Sequence, residues 1–177
     1  VTGAIALLGA LRAGWNDPRP ATPPDWQAGA PHILSASAEA ARAIDLLERP
    51  PGAFTFEAVA TVQSGADFNG YGLVFHAQDA AHYTAFAVGS DGYLSVLTVS
   101  GEEETELLAW QAFPHIRRGA GPNRLRVSCA EGTCRFWIND EVVAALPDEG
   151  GGGEVGLWVR WYEGARVVVE FSNVATW

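Results

Sequence analysis

Tyr71-Gly-Leu-Val-Phe-His-Ala77, Tyr93-Leu-Ser-Val-Leu-Thr-Val99, Leu125-Arg-Val-Ser-Cys129 and Ala165-Arg-Val-Val-Val-Glu-Phe171 decide the fold. Each run is short and rich in β-branched and aromatic residues, and Gly, Asn and Asp punctuate them. From Tyr71 to Val174 the chain reads strand, tight turn, strand, with almost no room for a helix. The pattern predicts an antiparallel β-sandwich.

Working outward, strands are expected at about 32–37, 42–48, 54–63, 71–77, 82–88, 93–99, 105–110, 124–129, 134–138, 142–146, 154–161 and 165–172. Phe54, Phe56, Ala58, Ala60 and Val62 alternate with Thr55, Glu57, Thr61 and Gln63, so one face of that strand is buried. Asn139-Asp140 suits a two-residue hairpin turn of type I′, because both residues tolerate positive φ. Ser90-Asp91-Gly92 and Ser100-Gly101 mark further hairpins. Gly150 to Gly153 is a loop without side chains for chemistry. Residues 38–45 resemble a helical turn, but the run into Pro50-Pro51-Gly52 favours strand.

With 177 residues, 48% apolar and 18% charged, the chain has enough apolar material for a sizeable core. Its formal charge of −10 offers no basic footprint for nucleic acid or anionic lipid. The acidic run Glu102-Glu103-Glu104 reads as solvated turn charge, with a calcium loop as the alternative, since clustered carboxylates suit a hard cation. No other cofactor is implied.

Cys129 and Cys134 flank a short turn containing Gly132. If the flanking strands pair, the two face each other within disulfide range. A zinc site needs two more ligands, which the local spacing does not supply. A hairpin disulfide points to an oxidising, extracytoplasmic compartment.

Residues 1–14 are an apolar segment of helix-favouring composition, with Ile5, Leu7, Leu8 and Leu11 as its anchor or interface residues. The run is shorter than the ~20 residues that span a bilayer. Three readings compete: the end of a membrane anchor, a helix that docks on a partner or on the domain, and the end of a signal peptide. With no methionine, the chain is expected to be processed or truncated at its front. Residues 15–31 form a Pro-rich linker, and residues 32–177 the sandwich domain.

The ordered blocks Tyr71 to Asp79, His82-Tyr83, Asp91-Gly92-Tyr93, Leu107 to Trp110, Asn123 to Val127, Phe136 to Asp140 and Gly156-Leu-Trp158 resemble the concanavalin A-like, laminin G-like jelly-roll superfamily. Within it they are most similar to bacterial 3-keto-disaccharide hydrolase-like domains. The resemblance covers residues 32–174 and implies an all-β jelly roll. It implies no single ligand, because lectins, glycosidases, adhesion domains and structural sandwiches share the fold.

Glycosidases of this fold class carry paired carboxylates on one strand, aimed into the groove. Glu102, Glu103, Glu104 and Glu106 lie in or near a turn, Glu141 follows a turn, and Glu170 stands alone. A glycosidase is therefore disfavoured. His32, His76, His82 and His115 are scattered. A metal site from His76, Asp79 and His82 is weighed against ordinary polar residues near a strand end, and the latter is preferred. No nucleophile-elbow motif supports a Ser-His-Asp triad.

The aromatics are more informative. Alternation puts Trp158, Arg160 and Tyr162 on one face, mixing ring platforms with a guanidinium as a carbohydrate site does. The plainer reading packs Trp158 under a loop and pairs Arg160 with a carboxylate. Alternation gives Val74, His76 and Gln78 a shared face, with His76 and Gln78 as further candidates for the same groove. Trp110, Trp137 and Trp177 read as packing. The expected function is a non-catalytic, extracytoplasmic recognition module for carbohydrate or envelope glycan, tethered by its N-terminus at the cell surface. The alternative is a structural subunit of a membrane complex or surface filament, joined to neighbouring subunits through residues 1–14.

Overall fold

A computed structural model describes residues 29–49, 51–65, 68–148, 150 and 152–177. The apolar segment with Ile5, Leu7, Leu8 and Leu11, and nearly all of the Pro-rich linker, lie outside the described residues. What is described is an antiparallel jelly-roll β-sandwich of twelve strands, with no helix among the described residues.

The strands are β1 (His32–Ala36), β2 (Arg42–Leu47), β3 (Phe54–Ser64), β4 (Asn69–Asp79), β5 (His82–Gly89) and β6 (Tyr93–Ser100). They continue as β7 (Glu103–Ala112), β8 (Asn123–Ala130), β9 (Thr133–Ile138), β10 (Glu141–Pro147), β11 (Glu154–Trp161) and β12 (Val167–Thr176). One six-stranded sheet has the order β1-β12-β3-β8-β9-β10 and the other β2-β11-β4-β5-β6-β7.

Every expected strand is present. Two of the departures from the expected bounds have local causes. β7 takes in Glu103 and Glu104, which pair with Ser100 and Val99 of β6. β12 runs on to Thr176 past a bulge between Ser172 and Ala175, where Asn173 holds φ 56°.

Two of the short hairpins, β8–β9 and β9–β10, have turns with positive φ at both central residues. Asn139 and Asp140 have φ of 51° and 71°, and Glu131 and Gly132 of 53° and 72°. Positive φ at both central residues matches the right-handed twist of the flanking strands. Ala130 still pairs with Thr133, so the turn proper is Glu131-Gly132 and the next pair is Cys129 opposite Cys134. The two cysteines form the expected disulfide.

The main core lies between the sheets. Phe54, Phe56, Ala58, Ala60 and Val62 of β3 are all buried in it, with Phe86, Phe136, Leu157 and Phe171. The opposite face of β3 is less open than its polar residues suggest. Glu57 is 4% exposed and pairs with Arg126 at 2.5 Å, the guanidinium offsetting the cost of burying a carboxylate.

Candidate functional site

A second, smaller cluster occupies the outer face of the β2-β11-β4-β5-β6-β7 sheet. It contains Val74, Ala77, Tyr83, Ala85, Ala87, Leu97, Val99 and Trp158. Its shape comes from small residues paired across β4 and β5: Gly70 opposite Gly89, Gly72 opposite Ala87, Val74 opposite Ala85. Without bulky side chains on this floor, large rings from β11 can lie over it. A Cβ on Gly70 would come within 2.9 Å of the Trp158 ring and 3.4 Å of Tyr162.

Trp158 is fully buried there, and its indole Nε1 donates to Tyr83 Oη at 3.0 Å. The ring is part of the floor and offers no open face for stacking. Arg160 lies 3.4 Å from Glu104, which also faces Arg42 at 3.5 Å. Arg160 thus has a carboxylate beside it, as in the plainer expectation, whereas Trp158 is packed on the outer face of the sheet over Gly70. Two members of the acidic run, Glu102 and Glu104, face the Arg42 guanidinium.

Tyr162 is different. It is 38% exposed and borders a cavity of about 410 Å³ at one end of the outer face. Phe68, Tyr93 and Trp110 complete an aromatic wall, and Asn69, Gly89 and Asp91 supply the polar part of the lining. Phe68 and Tyr93 are exposed too, while Trp110 packs against the Trp158 cluster.

The polar groups are held firmly. Ser90 Oγ donates to Asn69 Oδ1 at 2.7 Å in a buried contact. The turn that carries Asp91 is closed by Gly92 N donating to Gly89 O at 3.0 Å. Asp91 lies directly over the backbone of Gly89, where a Cβ would collide with Asp91 Oδ1. The loop after β7 packs back on this turn, with Phe113 N donating to Gly92 O and Gly119 N to Ser90 O. Partial burial, then the nearby Glu104 carboxylate, push the Tyr162 phenol up to about 12, so it stays a neutral donor and acceptor at ordinary pH.

His76 and Gln78 do not join this group. Asn69 and Gln78 sit at opposite ends of β4, roughly 30 Å apart at strand rise. Nor does His76 share a face with Val74. It sits at a bulge with φ 53°, where the register of β4 shifts against both neighbouring strands. That extra residue turns the imidazole inward, edge-on to Phe54 and Phe75 and beside Asp148 at 3.2 Å. Gln78 is exposed and donates to Gly152 O at 3.1 Å. His82 pairs with Asp79 within one exposed turn, apart from His76.

Of the binding candidates expected from the sequence, Tyr162 lines this cavity, beside Phe68, Asn69, Asp91, Tyr93 and Trp110, which the sequence does not single out as binding residues. The sequence signal at Asp91 and Tyr93 is the Ser90-Asp91-Gly92 turn and the Asp91-Gly92-Tyr93 block, both of which speak to fold and not to binding. Trp110 was read as packing, and it both packs and lines the cavity.

No family model matches the chain, and no curated protein matches it. Solved structures do. A carbohydrate-binding module from Bacillus subtilis superposes with TM-score 0.65 at 16% identity, over 85% of this chain and 94% of that one. Sheep galectin-11, solved with glycerol, gives 0.55 at 14% identity over 76% and 96%. The GH43 protein BlXynB from Bacillus licheniformis gives 0.55 at 13% identity, over 71% of this chain but 27% of that one. At these identities the likeness is one of fold, the jelly-roll β-sandwich.

Proposed function

We propose that this protein is a non-catalytic glycan-binding module whose ligand occupies the cavity walled by Phe68, Tyr93, Trp110 and Tyr162. The observation that carries the reading is the conjunction of exposed rings with anchored polar groups in one concavity. Pyranose C–H faces stack on aromatic rings, and Asp91, Asn69 and the Tyr162 phenol are suited to reading hydroxyls. The neighbours named as a carbohydrate-binding module and a galectin support it as well.

Asp91 is the one carboxylate among the described residues that line the cavity. Glycoside hydrolysis uses two, which favours binding over turnover. The finer kinship with 3-keto-disaccharide hydrolase-like domains rests on the ordered sequence blocks and belongs to the same proposal. So do the extracytoplasmic setting, supported by the disulfide, and the N-terminal tether.

The test is a glycan array followed by calorimetry on the best oligosaccharide. Tyr93→Ala and Tyr162→Ala should each weaken binding about 10-fold, the value of one lost stacking contact. An array with no binder, or variants that bind as the parent does, would overturn the proposal.

A further inference from the structure

At the opposite end of the sandwich, four side chains with metal-binding chemistry converge. His76 Nε2, Cys129 Sγ, Cys134 Sγ and Asp148 Oδ1 all lie within 4.8 Å of one another. His76 Nε2 is 4.0 Å from Cys134 Sγ and 3.2 Å from Asp148 Oδ1. Among the described residues, no other group of three or more His, Cys, Asp or Glu is gathered this way.

We propose that reduction of the Cys129–Cys134 disulfide turns this cluster into a four-ligand zinc site. The ligands are the two thiolates, His76 Nε2 and Asp148 Oδ1. The spacing C-x4-C on a hairpin falls within the range of zinc-binding cysteine pairs. Zn–S and Zn–N bonds of about 2.3 and 2.0 Å in a tetrahedron set donor separations near 3.3–3.8 Å. The His76–Asp148 and His76–Cys134 distances are already close to that. The two sulfurs must part, which breaking their bond allows, and the remaining donor pairs are within 4.8 Å of one another. A mixed S2NO set selects zinc over calcium or magnesium, which want oxygen.

The two remote ligands are held by backbone. The β4 bulge turns His76 inward. Asp148 N donates to Gly132 O at 2.9 Å, tying it to the cysteine hairpin, and Gly150 N donates to Asp148 Oδ1 at 3.0 Å. Both side chains are under one fifth exposed. His76, Cys129 and Asp148 line a cavity of about 230 Å³ through which an ion can enter, and Arg49 on its wall offsets the −1 charge of the loaded site.

The chemistry balances with a phosphine reductant. The S–S bond breaks, the phosphine is oxidised to its oxide with oxygen from water, and two thiols form. Zinc then displaces the two thiol protons to solvent.

The experiment uses the full chain, oxidised and phosphine-reduced, without oxygen. Cobalt(II) is titrated first, then displaced by zinc. The reduced chain should take one equivalent of cobalt, with visible bands and thiolate-to-metal charge transfer that zinc abolishes. The oxidised chain and a Cys129→Ser/Cys134→Ser variant should give neither. His76→Ala and Asp148→Asn should each weaken zinc at least ~10-fold and alter the cobalt spectrum. Zinc should also raise the melting temperature of the reduced chain alone. Three results would overturn the proposal. One is a folded reduced chain with no cobalt bands. Another is metal binding indifferent to both His76→Ala and Asp148→Asn. The last is a reduced chain that loses its β-sheet signal and does not regain it with zinc.

Discussion

Asn123 Nδ2 donates to Tyr71 Oη at 2.8 Å in a buried hydrogen bond that joins the two sheets. Tyr71 belongs to β4 and Asn123 to β8, and both are fully buried. Asn123 does more than meet the phenol. Its Nδ2 also donates to Arg117 O at 2.8 Å, and its Oδ1 accepts from Arg117 N and from Asn139 Nδ2, each at 2.9 Å. One side chain therefore ties the loop after β7 to the hairpin turn at Asn139 and to the facing sheet. That loop also buttresses the turn bearing Asp91.

The two partners should respond unequally to truncation. Tyr71→Phe removes one bond and leaves Asn123 its other acceptors, so it should cost about 1 kcal/mol. Asn123→Ala strands the Tyr71 hydroxyl and the Arg117 backbone together and should cost roughly 2–4 kcal/mol. Urea unfolding of both variants measures this, and equal losses would show that the loop is not held by Asn123.

Trp158 and Tyr93 separate packing from recognition. Trp158 is fully buried on its Gly70 floor, so Trp158→Ala should destabilise by about 3–5 kcal/mol through the cavity it leaves. Tyr93 is 42% exposed, so Tyr93→Ala should leave the unfolding midpoint within about 0.5 kcal/mol while weakening glycan binding. Thermal melts beside calorimetry give both numbers. A Trp158→Ala chain as stable as the parent would mean that the ring is not part of the floor.

The strands were legible because their signals are local. Alternation in 54–63 and positive-φ residues at Asn139-Asp140 act within a few residues, and twelve strands follow from such signals. The site was not legible for the opposite reason. Tyr93, Asp91, Asn69 and Tyr162 meet only because β5 lies between β4 and β6 and β11 lies beside β4. The β4-β5-β6 part of that order comes from successive hairpins, but β11, which brings in Tyr162, reaches β4 by a long-range pairing that no window of sequence contains. His76 failed differently: a single bulge reversed the face that strict alternation assigns it. The same bulge brings it beside Cys134, 58 residues away, where local spacing shows no third ligand.

Gly89 should matter for binding without mattering for folding. The Asp91 carboxylate lies where a Gly89 Cβ would be. Gly89→Ala must push that carboxylate away, and Gly89 is not among the glycines held at positive φ. We expect weaker glycan binding, about 10-fold for one lost charged hydrogen bond, at a stability cost of about 1 kcal/mol or less. Asp91→Ala should weaken binding to a similar degree, and the two changes together no further. Additive losses would place Asp91 outside the ligand contact.

All eleven Lys/Arg-type cationic side chains are arginine and the chain has no lysine, so no ammonium side chain titrates beside the phenols at alkaline pH. Burial raises the phenols of Tyr71, Tyr83 and Tyr162, the last to about 12. In the unfolded chain a phenol ionises near ~10. A group whose pKa is raised by folding contributes stability that is complete below the unfolded value. That contribution is lost as pH rises through the folded value. Stability should therefore decline from about pH 10 towards 12, with the phenolate absorbance of the buried tyrosines appearing together with unfolding. Tyr71→Phe removes one of the three contributions and should flatten the decline, even though it lowers stability at neutral pH. A stability curve that stays level from pH 10 to 12, or a Tyr71→Phe curve parallel to the parent's, would show that burial does not hold these phenols protonated.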